Sequence, residues 1–140
     1  AGLASLRIGY GIMSTKAASY LMAIKPPYNV NGAAQVALVS ALQNRAILLE
    51  RVEALVKERQ WLSVQLATFK DIQPLPSSGN FILCKFSGKS ASQVNRELMQ
   101  RGIFTRYFET QVLQDYLRIT VPMRAQSDVL LQALGDIIAN

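Results

Sequence analysis

The sequence predicts a chain of mixed α/β structure in which a long linking helix leads into a small α+β lobe, and three observations predict it. Segments with apolar residues on alternate positions, the period of a strand, occur near both ends of the chain. Between them, Gly32 to Phe69 is proline-free and rich in helix formers, with Leu48, Val52, Leu55, Leu62, Leu66 and Phe69 recurring at helical steps. Composition then shifts at Asp71 to Gly79, and the pattern beyond it runs strand, helix, strand, strand, helix, which makes a small sheet covered on one face.

The first element is expected to be a strand, because Leu6, Ile8 and Tyr10 alternate with Arg7 and Gly9. A guanidinium on so apolar a strand is costly to bury without an anion, and its planar fork suits phosphate or carboxylate; an exposed edge strand with Arg7 in water fits the pattern as well. Ser14 or Thr15 then caps a helix carrying Ala17, Ala18, Tyr20, Leu21 and Ile24, which Pro26 and Pro27 end. Lys25 to Asn31 is a stiff connector with a polar, aromatic tip at Tyr28, Asn29 and Asn31, either a surface turn or a loop that presents side chains to a site. Gly32 to Phe69 is one long helix or two joined near Asn44, and Arg59 interrupts its apolar seam. Pro74, Pro76, Ser77, Ser78 and Gly79 mark a turn-rich passage before a strand at Asn80 to Phe86. Ser90 with Gln93 opens the next helix, Val94, Leu98 and Met99 supply its apolar stripe, and Gly102 stands where a left-handed cap belongs. Strands are expected at Ile103 to Phe108 and Tyr116 to Val121, and a closing helix at Ala125 to Ala139.

Composition narrows the function classes. At 140 residues and 50% hydrophobic the chain can pack a core, and its apolar runs break well short of a membrane span. The absence of histidine removes Ser-His and Cys-His nucleophile pairs and weakens any case for a metal site, so none is expected. The single cysteine, Cys84, lies in the apolar run Phe81 to Cys84 and is expected to be a buried thiol. A net charge of +6 invites a nucleic-acid partner, but the basic residues are scattered, without a basic run or an RNA-binding aromatic signature, and no such partner is expected. An excess of this size equally suits a site for small anions.

The opening arginine pattern recurs in Leu117-Arg118-Ile119-Thr120-Val121, and Arg106 lies similarly between Thr105 and Tyr107. Ala1 to Gly11, Pro26-Pro27-Tyr28-Asn29-Val30-Asn31, Asn80-Phe81-Ile82-Leu83, Gly102-Ile103-Phe104-Thr105-Arg106 and Leu117 to Val121 together resemble, in order and spacing, the C-terminal part of histidinol-phosphate aminotransferases. These are class I and II aminotransferases of the fold-type I, pyridoxal-phosphate-dependent group, and the resemblance spans the whole chain. It implies the C-terminal part of the pyridoxal-phosphate-dependent transferase fold: 1–31 as the tail of the large cofactor-binding domain, 32–70 as the interdomain helix region, and 71–140 as the small α+β domain.

The resemblance also implies roles. Arg7 matches the arginine that binds the phosphate of pyridoxal 5'-phosphate, Arg118 the arginine that holds the acidic group of the substrate, and Arg106 a position that helps to hold the substrate phosphate. Asn80 matches a residue beside the active-site cleft, and Tyr28 a loop residue that approaches the cofactor site of a partner subunit. The family's Schiff-base lysine would fall about two residues before Ala1, so no catalytic residue is expected in this chain and the chain alone is expected to be inactive. The implied substrates are histidinol phosphate with glutamate and 2-oxoglutarate, in histidine biosynthesis. The complete enzyme is expected to be a homodimer without membrane association, in cytoplasm or plastid. A related threonine-phosphate decarboxylase, and a noncatalytic α+β binding domain whose arginines face water, are the alternatives.

Overall fold

A computed structural model describes residues 3–139; Ala1 and Gly2 of the opening motif and Asn140 lie outside the described residues. The chain divides into two compact units, with the boundary between Arg51 and Val52.

In the first unit the expected opening strand does not form. Leu3–Leu6 makes a 3-10 turn, the Arg7 N–H donates to the Ala4 carbonyl at 3.1 Å, and Arg7 takes a left-handed φ of 56°. Alternating hydrophobicity makes a strand only beside another strand that takes its ladder hydrogen bonds, and the first unit has none among its described residues, so the backbone bonds locally instead. Helix α1, Thr15–Ile24, starts where the Ser14 hydroxyl accepts from the Ala17 N–H, and it stops ahead of Pro26. Asn31 caps α2, Gly32–Gln43, accepting from the Ala34 N–H at 2.8 Å. The helical stretch breaks at Asn44, as the sequence allowed, and α3 follows at Arg45–Leu66. Ala34 is buried in this unit, whereas Tyr10, Ile12, Tyr20, Met22, Ile24 and Val36 are exposed.

The second unit is a two-layer α+β structure. Strands β1 (Ile72–Pro74), β2 (Phe81–Phe86), β3 (Arg106–Tyr107) and β4 (Tyr116–Thr120) form an antiparallel sheet in the order β1-β2-β4-β3, and α4 (Ala91–Gln100) and α5 (Arg124–Ala139) complete the unit. Alternation along β2 and β4 sends Ile82, Cys84, Phe86, Leu117 and Ile119 inward, where they meet Val94 and Leu98 of α4, Leu130, Leu134 and Ile137 of α5, and Leu62 and Leu66 from the end of α3. The opposite face of the sheet carries Phe81, Lys85, Arg118 and Thr120 to solvent.

Two details depart from the sequence expectation, and a third, the end of α4, meets it. Strand β1 forms despite its proline because it lies at the sheet edge, where a missing N–H does no harm. Residues 103–105 run beside the sheet without joining it, so β3 is two residues long. Gly102, with φ +77°, completes a left-handed helix end in which the Ile103 N–H donates to Leu98 and the Gly102 N–H to Met99.

Candidate functional site

Strand period and register build the site. Arg118 points to the solvent face of β4, and its neighbours across the ladders are Leu83 on β2 and Arg106 on β3. Two arginines therefore stand directly opposite one another on adjacent strands, an arrangement that repels. Neither has a carboxylate within ion-pair distance among the described residues, whose ion pairs are Lys89–Glu97, Arg101–Asp136 and Arg124–Glu58. Each guanidinium instead lies against a ring, Arg118 at 5.3 Å from the centroid of Phe81 and Arg106 at 5.7 Å from that of Phe108. Lys85 adds a third cation on this face, diagonal to Arg118 because it pairs with Tyr116. The result is an exposed cationic surface flanked by two aromatic rings, a chemistry suited to charge-assisted hydrogen bonds with an anion.

Asn80 sits at the end of the same ladder. Its carbonyl accepts the Val121 N–H at 2.9 Å and it immediately precedes Phe81, so its backbone is anchored at the end of that ladder, and the residue is exposed. Arg106 and Arg118 thus come together on the solvent face of the sheet, while Asn80 is placed only by its backbone, at the end of the β2–β4 ladder beside Phe81. Phe81 and Phe108 were not singled out from the sequence. Period two along β2 puts Phe81 on the face of Lys85 and opposite that of Ile82 and Cys84, and that alternation is the signal that could have marked Phe81.

Arg7 and Tyr28 belong to the first unit. Arg7 is exposed, with no ionic partner among the described residues. Tyr28, 99% exposed, stands at the tip of the connector with a left-handed φ of 61°. The Lys25 ammonium braces that loop by donating to Asn29 Oδ1 at 2.9 Å, and Lys25, Tyr28, Asn29, Val30 and Gln35 border a shallow hollow.

Two other features lie apart from this surface. Burial pushes the Cys84 thiol up to about 12, so at neutral pH it is a protonated core group. Among the described residues no cluster of acidic or sulfur ligands could hold a metal ion, and no helix is long and apolar enough to cross a membrane.

Known proteins are similar to this chain in sequence and in fold. A histidinol-phosphate aminotransferase of Dehalococcoides mccartyi (strain CBDB1) is 43% identical over 136 residues, which are 97% of this chain and 38% of that protein. The chain therefore spans well under half the length of this curated relative. The crystal structure of histidinol-phosphate aminotransferase from Sinorhizobium meliloti in complex with pyridoxal-5'-phosphate superposes with a TM-score of 0.78 at 30% identity, covering 99% of this chain and 38% of that one. That of the Clostridium acetobutylicum histidinol-phosphate aminotransferase reaches 0.84 at 22% identity, covering 99% and 43%, and shows the shared fold. The family profile of class I and II aminotransferases matches residues 1–134, and the chain belongs to that family.

Proposed function

We propose that this chain is the C-terminal part of a pyridoxal-phosphate-dependent histidinol-phosphate aminotransferase that exchanges an amino group with glutamate and 2-oxoglutarate. The observation that carries the reading is the pair of directly opposed arginines, Arg106 and Arg118, without a carboxylate among the described residues. Like charges held face to face cost stability unless an anion bridges them, and an amino-phosphate or an amino acid supplies that anion.

In this reading Arg118 binds the acidic group of the substrate through its fork, Arg106 holds the phosphate, and Asn80 borders the cleft beside them. Phe81 and Phe108 limit the swing of the two guanidiniums, so each presents its N–H donors in a fixed direction. Arg7 holds the cofactor phosphate. A phosphate needs donors free of a competing carboxylate, and the exposed Arg7 guanidinium meets that requirement. Pyridoxal phosphate, when bound, supplies the electron sink for chemistry at the substrate α-carbon. Residues 1–31 then form the tail of the cofactor domain, 32–70 the link and 71–140 the substrate-clamping domain, with Tyr28 reaching a partner subunit in a homodimer. The complete enzyme works in cytoplasm or plastid.

The proton shuttle and the covalent anchor belong to a lysine that none of this chain's lysines matches. Incubating the 140-residue chain with pyridoxal phosphate and borohydride is expected to trap no stoichiometric adduct on one lysine, and glutamate is expected to yield no amino transfer. A single trapped lysine with turnover overturns this part of the reading.

A further inference from the structure

Arg59 is the one residue the helical pattern leaves unexplained, a cation that interrupts the apolar seam of α3. In the structure it is part-buried, and its Nη1 donates to the Gly79 carbonyl at 2.8 Å. No carboxylate among the described residues pairs with it. A part-buried guanidinium that spends its donors on a neutral carbonyl is a costly way to close a loop, unless the position of that loop matters.

The loop leads straight to the arginine pair. The Ser77 hydroxyl accepts from the Gly79 N–H at 3.1 Å and donates to the Phe81 carbonyl, so residues 77–81 form one tied turn. A Cβ built on Gly79 would lie 3.2 Å from the Phe81 ring, so the ring packs directly against the backbone that Arg59 holds. The same ring lies 5.3 Å from the Arg118 guanidinium. Hydrogen bond, tied turn and ring make a continuous physical chain from α3 to the solvent face of the sheet.

We propose that Arg59 is a positioning residue: by clamping the 77–81 turn it sets the Phe81 ring and, through that ring, the direction of the Arg118 guanidinium. The proposal rests on the anion-binding reading for its functional consequence, while the positioning itself can be read without any ligand.

The test uses the 140-residue chain and its Arg59→Met, Arg59→Lys and Arg118→Ala variants. The side-chain Nε–H resonance of Arg118, assigned by its loss in Arg118→Ala, reports the ring current of Phe81, and backbone order parameters of residues 78–81 report the clamp. Arg59→Met is expected to move the Arg118 resonance, to lower those order parameters below about 0.6, and to weaken inorganic phosphate binding by roughly three- to tenfold, the scale of one net hydrogen bond. Arg59→Lys, which keeps a donor at the end of a long stem, restores part of each. An unchanged Arg118 resonance in a folded Arg59→Met, whatever its melting temperature, overturns the proposal. Should Arg59→Met not fold, Arg59→Gln, whose shorter polar side chain withdraws the donor from the Gly79 carbonyl, decides by the same resonance. Failure of the wild-type chain to bind phosphate overturns the anion-binding reading alone, because the resonance and the order parameters still decide the positioning role.

Discussion

Replacing Ser127 by alanine tests how α5 is fastened to α3. Ser127 is fully buried, and its hydroxyl donates to Glu58 Oε1 at 2.7 Å. The Glu58 side chain is 12% exposed and also accepts from Arg124 Nε at 2.9 Å, while the Arg124 guanidinium lies 3.5 Å from the centroid of Trp61. A hydrogen bond to a charged acceptor contributes about 1.5–3 kcal/mol. Alanine's better helix propensity offsets about 0.5 kcal/mol of that loss, leaving a net cost of roughly 1–2.5 kcal/mol. Arg124 is 52% exposed at its side chain, so solvent screens its ion pair. Arg124→Ala is therefore expected to cost about 0.2–1 kcal/mol for the pair, plus about 0.5–1 kcal/mol for the contact with the indole. Urea unfolding followed by the fluorescence of Trp61, the only tryptophan, reads both variants at the place where the contacts are lost. The two costs are of similar size, so the uncharged, buried Ser127 hydroxyl should matter about as much as the charged but exposed Arg124. No shift for Ser127→Ala beside a clear one for Arg124→Ala would refute the argument that burial raises a single hydrogen bond to the strength of an exposed ion pair at this junction.

Other expectations follow from the same structure. Arg106→Thr relieves the like-charge contact with Arg118, worth about 0.2–1 kcal/mol, but loses the contact with the Phe108 ring, worth about 0.5–1 kcal/mol, so its stability in urea should stay within about 1 kcal/mol of the wild type while the stabilisation expected from millimolar phosphate is abolished; a variant that retains the phosphate effect excludes Arg106 from the anion site. Cys84 should resist a thiol reagent in the folded chain at neutral pH and react at once in urea, because burial holds its proton. The sign follows: a thiol raised from 9.0 to about 12 in the folded state contributes stability that is present below pH 9 and is lost as pH rises toward 12, so Cys84→Ala should flatten the alkaline fall in the urea midpoint. Gly102→Ala has open space around its new Cβ but a φ of +77°, so it should cost about 1–2 kcal/mol by thermal melting through backbone conformation alone.

Local chemistry was legible wherever it is decided within one turn of the chain. The Ser14 and Ser90 caps, the break at Asn44 and the glycine end of α4 all follow from hydrogen bonds between residues three to five apart, and the buried thiol follows from a short apolar run. The arginines of the site could be named from alternation and family resemblance. That Arg106 and Arg118 oppose one another could not, because register depends on which strands pair, and β3 and β4 meet across a loop whose length does not specify their alignment.

The opening segment shows the same limit from the other side. Leu6, Ile8 and Tyr10 carry a strand's alternation, yet the described backbone turns at Arg7, since a strand exists only when a neighbour takes its hydrogen bonds. Strand β1 is the converse, with poor local signals but a partner in β2 that makes the ladder. By itself, then, the sequence determined where helices start and stop, which side of β2 and of β4 is apolar, and to which family the chain belongs. Tertiary structure alone decided which charges face each other, that Phe81 backs Arg118, and that Arg59 clamps a turn twenty residues away, because those contacts join segments whose separation along the chain leaves no local trace.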